Sequence, residues 1–125
     1  MKLIDTNIIL RWLLGDHAEL SQRAEELVEN APLANFLVTD IVVAEIVYVL
    51  RSTGRDRNQT NEALQLIGRT DAFKYENKEL IIKVASLLKD TNLDFADCYL
   101  LARARKYKLG LETFDESLEK QFLAT

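Results

Sequence analysis

Two textures of apolar spacing alternate along the chain. Residues 2–4 are a short apolar start that stops at Asp5, and residues 6–14 then place Ile8, Ile9, Trp12 and Leu13 at helical spacing. Gly15 closes that helix. Residues 17–30 set Leu20, Ala24, Leu27 and Val28 on one side and Glu19, Glu25, Glu26 and Glu29 on the other, with Pro32 beyond, which predicts an amphipathic surface helix. Residues 36–39 read as a second strand. Asp40 opens a long apolar helix that runs to Arg51 and stops near Gly54, and residues 58–70 read as another helix. Residues 72–75 predict a third strand, after which Asn77 caps a helix with Leu80, Ile81, Val84, Leu87 and Leu88 at intervals of three to four. A helix from Asp94 to about Tyr107, a fourth strand over 109–113 and a final helix from Asp115, with Leu118, Phe122 and Leu123 on its apolar side, complete the pattern.

Strands separated by one or two helices predict an α/β fold, a short parallel sheet covered by helices on both faces. The chain has 125 residues, 48% hydrophobic, with four Gly and one Pro and no repeat or linker, so residues 1–125 are read as a single domain. A chain of this length buries roughly 65–70% of its unfolded surface and needs no staples. Cys98, the only cysteine, excludes an internal disulfide framework and a Cys-based zinc cluster, and it fits a reducing compartment. His17, the only histidine, makes a Ser-His-Asp triad a poor fit and rules out paired-histidine chemistry and multi-His zinc within the chain. The chemistry is therefore expected to run on carboxylates. The first residues lack a secretory pattern, and no window approaches the ~18 apolar residues of a membrane span, so a soluble, cytoplasmic protein is expected. The net charge of −4 weighs against a nucleic-acid partner, because phosphates reward Lys and Arg.

In parallel α/β sheets, ligands bind beyond the carboxyl ends of the strands. Asp5 follows the first strand and Asp115 the expected fourth, so the fold would bring them to one rim, where each also suits a helix N-cap. Glu45 interrupts the otherwise apolar run 41–50. A carboxylate there must meet a cation, hydrogen-bond donors or water in a cleft, or else face solvent. Asp94 and Asp97 have the spacing of a cap and its N3 partner, a geometry that serves a capping pair and an inward-pointing site equally well. Cys98 beside them reads as a small apolar filler.

Four acids about 5 Å apart repel by about 3 kcal/mol per pair at an effective dielectric near 20. A divalent cation removes that cost, and oxygen-only ligands select Mg²⁺ or Mn²⁺ over zinc. One or two such ions would activate water for in-line attack on a phosphodiester and steady the leaving oxygen.

The text LIDTNIIL at the start, the Glu45 helix, LDFADCYLLARA in the last third and TFDESL near the end resemble, in that order, the PIN-domain ribonucleases. Within them the chain is similar to the VapC-type toxins of bacterial toxin–antitoxin pairs. The resemblance implies a PIN-like α/β/α sandwich and a metal-dependent endoribonuclease. It makes Asp5, Glu45, Asp97 and Asp115 the metal-binding quartet, with Asn7 orienting Asp5, Thr113 bonding at the site and Asp94 an accessory acid. It further implies a homodimer and a VapB-like antitoxin whose tail wraps the toxin. Glu112 departs from the family, whose last strand carries an apolar residue there; it would be an exposed strand end or an extra acid near the metal.

With the quartet set aside as metal ligands, the remaining acids and bases are equal in number, and acidity ceases to oppose an RNA substrate. Arg11, Arg51 and Arg103 are RNA candidates, although cations also suit helix C-terminal ends. The first and third helices carry more apolar residues than one stripe needs, Trp12, Leu13, Leu14, Val47, Tyr48 and Leu50 among them, which predicts either an interface or burial on a broad face. A phosphoacceptor receiver domain fits poorly: its paired acids after the first strand and its late Lys-Pro are missing. The readings that stay open beside a toxin are a catalytically inactive PIN-like binding or scaffold protein and a housekeeping PIN nuclease without an antitoxin.

Overall fold

The computed structural model describes residues 1–124. Three parallel strands form one open sheet in the order β1 (Lys2–Leu3), β2 (Phe36–Val38), β3 (Phe73–Tyr75). Lys2 lies opposite Phe36, and Phe36 in turn opposite Phe73. Each step to the next strand is made through two helices, α1 (Thr6–Leu14) with α2 (Ala18–Glu29), then α3 (Asp40–Ser52) with α4 (Arg57–Gly68). After β3 come α5 (Lys78–Asp90), α6 (Phe95–Tyr107) and α7 (Glu116–Leu123). The α/β class is as the alternating pattern predicts.

Central β2 has Phe36 and Val38 buried and Leu37 half-buried, so helices cover it on both faces. The apolar periodicities fall on the core as expected: Val43, Ile46, Val47 and Leu50 of α3, Leu80, Ile81, Val84 and Leu88 of α5, and Leu101 and Ala102 of α6 form one cluster with the strands. The helix ends follow local chemistry. Gly15 takes the left-handed conformation, φ 61°, and its N–H returns to the Arg11 carbonyl, which ends α1 as the sequence indicates. The single imidazole is used structurally, His17 Nδ1 accepting the Leu20 N–H at the start of α2.

One expectation needs correction, and two others are filled in. Residues 109–113 form no strand: the Leu109 N–H folds back onto the Ala104 carbonyl, and Leu111 and Thr113 are half-buried without ladder bonds. The outer edge of β1 is thus unpaired among the described residues, and Leu3 is 75% exposed. The cap of α3 is Thr39, whose Oγ1 accepts the Val42 N–H; Asp40 is the first helical residue and its carboxylate is free to bond elsewhere. The apolar surplus of α1 and α3 is mostly core. Val47 and Leu50 are buried, Trp12 packs edge-on against Phe73 with ring centroids 5.1 Å apart, and of the six residues only Tyr48 is exposed.

Candidate active site

Asp5 occupies the N-cap position of α1 immediately beyond β1, with extended backbone, yet its carboxylate makes no capping bond. It is exposed and has no hydrogen-bond or ion-pair partner among the described residues. An aspartate at a cap normally accepts an N–H of the first turn; here it stays available beyond the strand end. Neighbouring Thr6 is buried with its hydroxyl unpartnered, and Asn7 is exposed with its amide unused. Arg11 is bridged to Asp16 at 3.1 Å, so its charge is already offset.

The burial of Val43, Ile46, Val47 and Leu50 turns Glu45 outward with Ile41 and Tyr48. Its carboxylate is exposed and unpartnered, and water meets the solvation demand that the apolar run seemed to pose.

At the start of α6, Asp94 Oδ1 accepts the Asp97 N–H at 2.9 Å, the predicted capping pair. Asp97 is half-buried. Desolvation first, then the negative charges of Asp94 and Asp115, holds its carboxyl above the usual range. Residues well apart in sequence therefore share one electrostatic neighbourhood. Asp115 Oδ1 caps α7 through the Leu118 N–H at 2.9 Å, and Thr113 Oγ1 accepts the Asp115 N–H at 3.0 Å, fixing the turn. Glu112 is exposed.

In kind, these donors fit a hard divalent ion: all are carboxylate oxygens, two are unpartnered, and Asp97 sits among like charges that a cation would relieve. Among the described residues, however, no group of three or more His, Cys, Asp or Glu side chains stands close enough to enclose an ion. Asp94, Asp97 and Asp115 share one neighbourhood, while Asp5 stands just beyond β1 and Glu45 on the outer face of α3.

A second polar cluster, just beyond the ends of β2 and β3, escaped the sequence reading. Asp40 Oδ2 accepts the Asn77 amide at 2.9 Å and the Tyr99 hydroxyl at 2.6 Å, while its Oδ1 is buried without a partner. Glu76 Oε1 accepts the Asp40 N–H at 3.1 Å. Tyr99 in turn accepts from Arg103 Nη1 at 3.0 Å, and that exposed guanidinium lies over the rings of Tyr99 and Tyr107. The position of Asp40 and Asn77 just beyond β2 and β3, where α/β sheets bind ligands, was the available signal.

A parallel α/β sheet with acids beyond its strand ends, its one thiol buried and its one imidazole engaged at the cap of α2, defines a small domain suited to metal-ion and phosphate chemistry. The family model for the PIN domain matches residues 2–121, and the chain belongs to that family. PIN domains are generally metal-dependent nucleases. No curated protein and no solved structure matches the chain.

Proposed function

We propose that this PIN domain is a Mg²⁺- or Mn²⁺-dependent endoribonuclease and the toxin of a type II toxin–antitoxin pair. The observation that carries the reading is Asp5, an aspartate at a helix cap whose carboxylate leaves the cap unused and stays unpartnered beyond β1. Asp5, Glu45, Asp97 and Asp115 would hold one or two ions, and Asp94 would serve as an accessory acid. When bound, a divalent ion lowers the pKa of water and offsets charge on the phosphate oxygens. Asn7 makes no bond to Asp5 in the unloaded chain and would meet it or the ion's hydration shell only on loading, and Thr113 sets the backbone from which Asp115 projects. The toxin assignment draws on the resemblance of LIDTNIIL, LDFADCYLLARA and TFDESL to VapC-type toxins, and it brings a VapB-like antitoxin and a homodimer as partners. An acidic rim would attract a basic side chain of such an antitoxin. No described helix is long and apolar enough to cross a membrane.

The test is cleavage of single-stranded RNA by the wild type and by Asp5→Asn, each with Mg²⁺, Mn²⁺ or EDTA. Cleavage that needs the metal and falls by about a hundredfold or more in the variant supports the reading. Activity untouched by EDTA and by the substitution overturns it. A small antitoxin gene beside this reading frame, and its product co-purifying with the chain, would carry the toxin assignment. A binding or scaffold role is favoured by one observation, the lack of an enclosing ligand group among the described residues; it predicts partner affinity insensitive to Mg²⁺ and no cleavage.

A further inference from the structure

Between α3 and the start of α6 lies a cavity of about 380 Å³ that meets the candidate acidic site only at Asp94. Its volume falls within the roughly 300–1,000 Å³ of small-ligand pockets. The lining combines apolar Val47, Leu88 and Leu93 with the rings of Tyr48 and Phe95. Phe95 is held in place, stacked on Tyr99 at a centroid distance of 6.0 Å, and Tyr99 is anchored by Asp40. Tyr48 is 74% exposed, an uncommon position for a large ring on an otherwise well-packed helix.

The polar groups around this cavity carry opposite signs. Arg51 and Arg57 both line it, and neither forms a salt bridge among the described residues. Arg57 is spent on the Leu88 and Leu93 carbonyls at 2.9 and 2.8 Å, whereas Arg51 is exposed and gives Nη1 only to the Arg55 carbonyl. The lone carboxylate in the lining is Asp94, the same group that caps α6 through the Asp97 N–H. The cavity therefore shares a wall with the candidate metal site.

We propose that this cavity is a nucleobase subsite for single-stranded RNA, which rests on the ribonuclease reading above. Aromatic faces over an apolar floor recognise the π-face of an unstacked base. A carboxylate can accept the amino or imino N–H of that base, and an uncompensated arginine at the mouth complements the adjoining phosphate. Because Asp94 borders both places, the base held here belongs to a nucleotide beside the scissile bond, and the subsite sets sequence preference.

The experiment measures binding of short fluorescein-labelled single-stranded RNA homopolymers in Ca²⁺, and steady-state cleavage in Mg²⁺. Tyr48→Ala and the cavity-filling Ala44→Phe should each weaken binding about tenfold and flatten the preference among the four bases. Arg51→Ala should lower the slope of log K against log salt by about 0.7, and Arg51→Lys should restore it. Wild-type affinity, base preference and KM in all of these variants, while the wild type cuts RNA in a metal-dependent way, overturn the subsite and leave the nuclease reading standing. Failure of the wild type to bind or cut RNA overturns both. Loss of self-association in Ala44→Phe with RNA binding intact would show that the cavity seats a second copy instead, which also overturns the proposal. Tyr48 and Arg51 are exposed, so their variants decide the matter should Ala44→Phe not fold.

Discussion

The hydroxyl of Tyr99 donates to Asp40 Oδ2 at 2.6 Å, tying the second turn of α6 to the end of β2 across 59 positions of sequence. Asp40 is the first residue of α3 and also receives the Asn77 amide, so this one carboxylate ties together the starts of α3 and α5 and the side of α6. Removing the phenol leaves that oxygen with a single donor, beside a buried oxygen that already has none. Tyr99→Phe should therefore destabilise the fold by about 1–2 kcal/mol, the scale of a partly buried bond to a charged group. Urea unfolding with an unchanged m-value would register it.

Asp5 and Asp115 are both N-cap residues, but only Asp115 spends its carboxylate on the helix. Asp115→Ala should cost about 1 kcal/mol of stability through loss of the cap. Asp5→Asn removes a charge that touches nothing in the fold and should stay within about 0.5 kcal/mol of wild type. Thermal melts of the two variants, run beside the cleavage assay, separate a residue kept for chemistry from one that also holds structure.

Asp97 gives a pH dependence with a definite sign. Its carboxyl is raised in the folded chain by desolvation and by Asp94 and Asp115, so the folded state binds more protons than the unfolded one between the unfolded value and the raised value. In that window stability falls as pH rises, and the penalty persists to neutrality. Asp97→Asn should thus be slightly more stable than wild type at neutral pH, with the advantage shrinking below the ordinary carboxylate range. Mn²⁺ should raise the melting temperature of the wild type more than that of the variant, since ion binding to the folded state offsets the same repulsion. Melting curves across pH, with and without metal, check both statements.

Cys98 is fully buried, and burial pushes its thiol up to about 11. At pH 8 it should be almost wholly protonated and shielded. Ellman's reagent should find no accessible thiol in the native protein and one per chain in guanidinium.

The helices were legible because the spacing that buries Val43, Ile46, Val47 and Leu50 together is a property of nearby residues. The bare stretch 109–113 was not. LGLET alternates as a strand does, and Leu111 and Thr113 do turn inward, but strand formation also needs a partner edge, and β1 is only two residues long. Val47 and Leu50 looked like surplus because one helix cannot reveal how broad a surface its neighbours cover. Among the acids, the link between Asp94 and Asp97 was local and readable. The bond between Asp40 and Tyr99 depends on the path of the chain through β2, β3 and α5, which no local spacing encodes. Glu45 stood out as the one charge in an apolar run, and the structure places it on the outer face of α3, where that charge needs no partner to be tolerated.

The unpaired edge of β1 has a practical side. A strand whose outer amides and carbonyls lack a ladder partner is a template on which a stray extended chain can grow, and Leu3 offers that newcomer a greasy foothold. Concentrated stocks should cloud from this flank first, and a Lys in place of Leu3 should keep them clear.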